Sequence, residues 1–369
     1  MRRRWFLKGA AAGVAVSAAS SLPKPALSQG RMEWRLQTTW PKGFPGLGAA
    51  AGMLADFITR GSDGRLGVKV FGAGEIVPTY ETLNAVNNGT LEMGHGAPFF
   101  WAGEVAAASF IASMPFGMSA QEQNAWFAFG GGQELADKVY REMGCKFFAS
   151  GNIGVQMGGW FNKQMSSLED YQGLKMRIPG LGGQVVKAAG GDVVKLSGAE
   201  ISTALESGKV DASVWFGPFT DLAFGLHKSA AYYYYPAWHE PATVLDNFIG
   251  LSAWESLPGD LRALVEAANA AVNGLAATQF TARNTEALNT LVKEHGVKVK
   301  KFPNRLLNGL GELTGQVMDD LASADPLSRQ VVDSILRFRR RAIILAKVSD
   351  QAFYNARALP FRFARPSRA

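Results

Sequence analysis

The chain reads as an α/β protein built from two similar α/β domains with a ligand cleft between them, followed by long C-terminal helices. Three observations predict this. A helix–glycine turn–strand segment occurs twice: Glu81-Thr-Leu-Asn-Ala85-Val-Asn-Asn-Gly89-Thr-Leu91-Glu92-Met-Gly94 aligns without a gap on Glu200-Ile-Ser-Thr-Ala204-Leu-Glu-Ser-Gly208-Lys-Val210-Asp211-Ala-Ser213. In each copy an apolar-periodic stretch stops at a glycine suited to the left-handed position after a helix, and a short strand follows. Around both copies strand and helix patterns alternate, which argues for mainly parallel sheets. Beyond Pro258 the pattern turns almost wholly helical. Two such α/β units imply duplicated domains, and open α/β sheets bind ligands beyond their strand ends. Function is therefore expected between the domains.

The elements follow in order. Met32 to Thr39 alternates as a strand, Phe44 to Arg60 carries a helical stripe, and Gly67 to Phe71 is a second strand leading through Gly72-Ala-Gly74 into the first repeat. A helical pattern from Ser119 to Met143 precedes the strand Cys145 to Gly151 and a crossing segment from Asn152 to Trp160. Strand, helix and strand recur from Leu174 to Leu196, then the second repeat, then Tyr232 to Tyr235, read as a buried strand whose alternate residues face opposite sides. Leu257-Pro258-Gly-Asp260 opens a helix running to about His295, Val297 to Phe302 is a short strand, and helices over 304–322 and 325–354 complete the fold. The expected division is 29–152 with 243–256 as a first domain and 153–242 with 296–303 as a second. Residues 257–295 form a bridging helix, 304–358 the C-terminal helices and 359–369 a tail.

The first 28 residues read as an export signal. Arg3-Arg4-Trp5-Phe6-Leu7-Lys8 precedes a small, apolar run from Gly9 to Leu22, and Ala26-Leu27-Ser28 supplies a cleavage site. The run is shorter than the ~20 residues a spanning helix needs, so the expectation is a twin-arginine-exported periplasmic protein. Removing Arg2, Arg3, Arg4, Lys8 and Lys24 lowers the net charge from +7 to +2, so the basic balance belongs largely to the leader and argues weakly for a nucleic-acid partner. The single cysteine, Cys145, excludes an internal disulfide and reads as a buried structural thiol.

Catalytic motifs are missing: no G-x-S-x-G, H-E-x-x-H, phosphate loop or complete G-x-G-x-x-G occurs. Four histidines, His95, His227, His239 and His295, fit no metal-ligand spacing. His95 and His239 lie within reach of a cleft, and each reads at least as well as a satisfied, partly buried side chain. The chain is therefore not expected to be an enzyme. The alternative is a secreted enzyme using Glu240 and a histidine on a carboxylated substrate.

Several segments together resemble the solute-binding proteins of tripartite ATP-independent periplasmic (TRAP) transporters. They are Leu168-Glu-Asp-Tyr-Gln-Gly173-Leu-Lys175-Met-Arg177-Ile-Pro179-Gly, Gly190-Gly-Asp-Val-Val-Lys195-Leu-Ser197-Gly-Ala-Glu200, Ala204-Leu-Glu-Ser-Gly208-Lys-Val-Asp211 and Trp254-Glu-Ser-Leu257-Pro258, in the family's order. Gln156, Arg177, Trp215-Phe216-Gly-Pro218 and His239-Glu240 are similar to the branch that captures pyruvate and longer 2-oxoacids. The resemblance implies a periplasmic-binding-protein-like receptor that hands its solute to a membrane permease. It also implies a homodimer formed through the long helix from Asp325. A different organic acid, such as lactate, a sugar acid or an aromatic carboxylate, is the alternative within the family.

Chemistry supplies separate reasons for these positions. An arbitrary arginine is as readily a surface salt bridge, but a strand-borne Arg177 can grip a carboxylate through paired charge-assisted hydrogen bonds, and the resemblance assigns it that clamp. A carboxylate ligand beside Glu240 is repelled unless a cation or proton intervenes. The resemblance implies a cation held by the Gln156 and Glu240 side chains, main-chain oxygen near Trp215 and the ligand's own oxygens. An all-oxygen set suits sodium or calcium, and charge counting with Arg177 present favours sodium. Without the resemblance, Glu240 reads as solvent-exposed and Gln156 as bonded to backbone. Trp215 and Phe216 follow the second repeat strand where the first copy has Gly96 and Ala97. The repeat thus predicts that both positions face the cleft, with Phe100 and Trp101 as further candidate walls.

Overall fold

A computed structural model describes residues 30–362; the export signal, the start of the first expected domain and the last residues of the tail lie outside them. Eleven strands are found among the described residues. They are β1 Met32–Thr38, β2 Leu66–Phe71, β3 Met93–Gly96, β4 Cys145–Asn152, β5 Gly159–Phe161, β6 Lys175–Arg177, β7 Asp192–Val193, β8 Ala212–Ser213, β9 Tyr232–Tyr235, β10 Val244–Gly250 and β11 Lys298–Lys301. They form a five-stranded sheet, ordered β2-β1-β3-β10-β4, and a six-stranded sheet, ordered β11-β9-β5-β8-β6-β7. Each sheet with its helices makes one lobe.

The duplicated segment does the same work in both lobes. Gly89 and Gly208 sit at φ +78° and +70°, the left-handed region that a Cβ disfavours. The Leu91 N–H donates to Ala85 O at 3.0 Å, and the Val210 N–H donates to Ala204 O at 3.1 Å. The acidic residue that follows accepts a main-chain hydrogen bond from a neighbouring strand: the Arg35 N–H donates to Glu92 Oε2 and the Lys175 N–H to Asp211 Oδ2.

Most strands pair in parallel, as the alternation predicts, and one strand in each sheet is reversed. β10 runs antiparallel to β3 and β4, and β5 antiparallel to β8 and β9. The cause is the double crossing. β5 follows the passage out of the first lobe and β10 the passage back, so both strands start at the interlobe side and run against neighbours that end there. Every residue of β10 is buried, so no alternation marks it.

Two helical patterns are also interrupted. The stretch from Ser119 is two helices, Ala120–Phe129 and Gly132–Glu142, separated at Gly131 (φ +82°). The first opens with a capping box between Ser119 and Glu122. The last long helix is Pro326–Val348, capped by the Asp325 carboxylate, and the chain breaks at Ser349 before Asp350–Arg357.

The helix Gly259–Lys293 ties the lobes together. Its Asn273 Oδ1 accepts from the Gly151 N–H in the first lobe at 3.2 Å, and its Asn284 Oδ1 from the Phe219 N–H in the second at 2.9 Å. Asn304–Ser323 packs on Gly180–Ala188 of the second lobe, and Pro326–Val348 on the helices of the first, burying Val331, Val332 and Ile335. Cys145 is buried at the start of β4, and burial pushes its thiol up to about 12, so it is a packed, unreactive side chain.

Candidate functional site

The site is assembled at strand ends and crossings. Arg177 is the last residue of β6 and is only 5% exposed. Its Nε donates to Leu196 O at 3.2 Å, its Nη1 to Val214 O at 2.9 Å, and its guanidinium lies 5.2 Å from the Trp215 ring centre. These contacts fix the fork while leaving Nη2 without a protein hydrogen bond among the described residues. Burial lowers the Arg177 pKa, opposed by Tyr80 and Glu240. A buried cation that the chain leaves partly unpaired is a receptor for an anion.

Glu240, 4% exposed, lies on the return crossing. Its Oε2 accepts from Gln156 Nε2 at 2.6 Å and from Thr243 Oγ1 at 2.7 Å, while Gln156 Nε2 also donates to Thr243 Oγ1 at 2.9 Å. The outward crossing carries Gln156 and the return crossing Glu240, so the triangle bridges two segments far apart in sequence. Burial raises the Glu240 pKa against these hydrogen bonds and Arg177. Neither Glu240 Oε1 nor Gln156 Oε1 has a protein hydrogen-bond partner among the described residues. One carboxylate oxygen and one amide oxygen in a buried site fit a hard, oxygen-seeking cation, so the residues present suit sodium or calcium.

Between Arg177 and solvent is a cleft of about 320 Å³, lined on one side by Tyr80, Phe99 and Phe100 and on the other by residues 177–180, 183, 184, 187 and 193–196. Gly180 lies where the cleft meets the Glu240 triangle: a Cβ there would stand 3.4 Å from Phe99 and 3.8 Å from Glu240 Oε1. Phe100 packs on Tyr80 at 5.3 Å and on Trp40 at 5.8 Å between ring centres. Trp215 and Phe216 are nearly buried; Trp215 covers Arg177, and Phe216 meets Trp40 edge-on across the lobes at 5.7 Å. The Trp215 Nε1 is buried without a partner.

Of the candidates, Arg177 and Phe100 line the cleft; Trp215, Phe216, Gln156 and Glu240 are buried behind its wall, which corrects the expectation that Trp215 and Phe216 face it, and two more lie in the core. His95 is fully buried: Trp40 Nε1 donates to its Nδ1 and its Nε2 faces Ser150 O, both at 3.2 Å, so the ring donates from Nε2 and has no nitrogen left for a ligand. Burial drives its pKa to about 4, keeping it neutral. Trp101 is 1% exposed, and its Nε1 donates to Asp246 Oδ2 at 2.7 Å; Tyr140 OH donates to the same oxygen. The second lobe repeats this clamp with Trp160 and Tyr233 on Asp221 at 2.8 and 2.7 Å. Trp101 is therefore a core anchor, packed against Gly96. His239 is also buried rather than cleft-lining, with both ring nitrogens unpartnered and its pKa pushed down to about 3.

Sequence reasoning missed Thr243, Tyr80 and Gly180. Thr243 carried one available signal, its place three residues after Glu240 on the same crossing. Tyr80 carried another, standing immediately before the first repeat.

The chain is similar to known proteins over most of its length. Residues 36–325 match the family of bacterial extracellular solute-binding proteins, family 7. A monocarboxylate 2-oxoacid-binding periplasmic protein of Nostoc sp. is 36% identical over 360 residues, covering 96% of this chain and 98% of the relative. A TRAP periplasmic solute-binding protein of Pseudoalteromonas atlantica T6c, solved with bound sodium and pyruvate, is 36% identical with a TM-score of 0.86, covering 90% of this chain and all of that one. Another, of Colwellia psychrerythraea, solved with bound calcium and pyruvate, is 34% identical with a TM-score of 0.87, covering 89% of this chain and all of that one.

Proposed function

Because the chain belongs to family 7 of the bacterial extracellular solute-binding proteins, the solute receptors of TRAP transporters, we propose that its cleft captures a small 2-oxo monocarboxylate, pyruvate or a longer homologue, together with a cation. The observation that carries this is a buried guanidinium that lines the cleft, with a buried carboxylate just behind the cleft-lining Gly180, the two not paired to each other. The ligand carboxylate completes Arg177. The Glu240 and Gln156 side chains, main-chain oxygen near Trp215 and the ligand's own oxygens would hold the cation, which would screen the ligand carboxylate from Glu240. Arginine, Glu240, ligand carboxylate and one sodium ion sum to zero charge, whereas calcium leaves one positive charge in a dry site, so sodium is favoured. Phe100, Phe216 and Trp215 exclude water around the short ligand tail.

Groups from both lobes meet the ligand, so binding stabilises the closed form of a hinged pair. The receptor reaches the periplasm through the twin-arginine signal, delivers the acid unchanged to the membrane permease, and performs no chemistry on it. It forms a homodimer through its C-terminal arm, where Ile344, Leu345, Val348, Phe353 and Tyr354 stay exposed.

The test is a tryptophan-fluorescence titration of the mature protein, unfolded and refolded to strip bound ligand. Pyruvate and longer 2-oxoacids are added with and without sodium or calcium. Saturable binding that weakens without the cation is expected. Silence toward every small carboxylate, repeated by calorimetry, would leave family membership intact and sink the 2-oxoacid assignment.

A further inference from the structure

The cleft does not end at Arg177. The helix Gly180–Ala188 presents Gly180, Gly183, Gln184 and Lys187 to it, an i, i+3, i+4, i+7 stripe with glycines at the inner end and a cation at the outer end. Lys195 lines the same outer end from the segment after β7, its Nζ 5.1 Å from the centre of the Tyr80 ring. Tyr80 itself packs on Phe100, so Lys195 is held against the cleft wall of the opposite lobe. Neither Lys187 nor Lys195 has an ion-pair partner among the described residues. No aspartate or glutamate lines the cleft with them. A three-carbon acid clamped at Arg177 would leave the outer part of this volume, and both ammonium groups, unused.

Resting on the 2-oxoacid reading above, we infer that the outer end of the cleft is a second anion subsite. It widens that reading from monocarboxylates to longer 2-oxoacids, favouring those that carry another acidic group at the far end of the chain over uncharged chains of the same length. The inner carboxylate and 2-oxo group take Arg177 and the cation site; the distal carboxylate takes Lys187 and Lys195, with Gln184 as a neutral donor between them. Because this end is open to solvent, its effect is one of selectivity, smaller than that of the buried clamp.

Calorimetry on the stripped, mature protein in saturating sodium separates the possibilities, using 2-oxopentanoate and 2-oxopentanedioate as probes of equal chain length. The dicarboxylate is expected to bind about fivefold tighter, as two partly screened charge pairs allow. The preference should vanish in Lys187→Met/Lys195→Met while 2-oxopentanoate affinity stays within about twofold, and Lys195→Arg should retain most of it. Equal or weaker binding of the dicarboxylate overturns the subsite. So does a lysine effect of the same size on both acids, because that marks general attraction of anions rather than selection. Failure of both acids with every cation instead overturns the 2-oxoacid reading beneath it.

Discussion

Arg177 and Gln37 hold the same position in the two lobes. Gln37 pairs with Gly94 across β1 and β3, and Arg177 with Ser213 across β6 and β8, where Gly94 and Ser213 are equivalent residues of the repeat. Gln37 Nε2 donates to Val77 O at 2.9 Å, and Arg177 Nε donates to Leu196 O at 3.2 Å, again equivalent acceptors. In the first lobe the position is spent on structure, since Gln37 Oε1 also accepts from the Ile76 and Val77 N–H groups. In the second, the longer side chain keeps the structural bond and carries charge past it into the cleft.

This equivalence makes Arg177→Gln an informative substitution. Glutamine can keep the Leu196 bond, so thermal unfolding should show a cost of only about 1 kcal/mol, while calorimetry should show carboxylate affinity down at least about a hundredfold. Arg177→Lys should fall between, having the charge without the fork. Wild-type affinity in Arg177→Gln would place the ligand elsewhere.

Thr243 positions the cation triangle through its bonds to both Glu240 and Gln156. Thr243→Val should weaken sodium-dependent binding about tenfold by removing one charge-assisted bond, and Thr243→Ser should restore it. An equal loss in both variants would assign the effect to packing rather than to the hydroxyl.

Burial raises the Glu240 pKa above the ordinary 4.5, so the empty site holds its proton to higher pH than the unfolded chain does. In the empty protein this group adds stability as pH falls through the raised value; cation binding, which needs the carboxylate ionised, is lost over the same window. Cation-dependent affinity should therefore fall by up to about tenfold per pH unit below the raised pKa. Protons should be released on binding, measurable by calorimetry in buffers of different ionisation enthalpy. Glu240→Gln should abolish both effects; a proton release that survives this change would point to another group.

The C-terminal helix is fastened to the first lobe by Val331, Val332 and Ile335 and by Trp126 Nε1 donating to Ser334 Oγ. Deleting everything after Ala324 would therefore open the core, and the cleaner probe is Ile344→Glu/Leu345→Glu on the exposed face. Light scattering should report monomers with an unchanged melting temperature. A persistent dimer would move the interface off this arm.

The repeat, the alternation of elements and the segment 168–200 were legible because they depend on local periodicity and turn chemistry, which a linear sequence displays directly. β10 was not, since a strand buried on both faces has no polar alternation. The break at Ser349 was hidden because apolar spacing continues across it, whereas the run Gly130-Gly131-Gly132 carried a break signal that the helical stripes on either side masked.

By itself the sequence determined that two α/β lobes would be built from a duplicated unit, and only through its family resemblance did it point to Arg177, Gln156 and Glu240. Only the tertiary structure decided which groups have spare hydrogen-bonding capacity. It turned His95 and Trp101 inward onto partners that consume their polar atoms, and it left Arg177 and Glu240 buried and incompletely paired. That distinction depends on burial and on contacts between residues far apart in the chain. Residue type and spacing do not encode it.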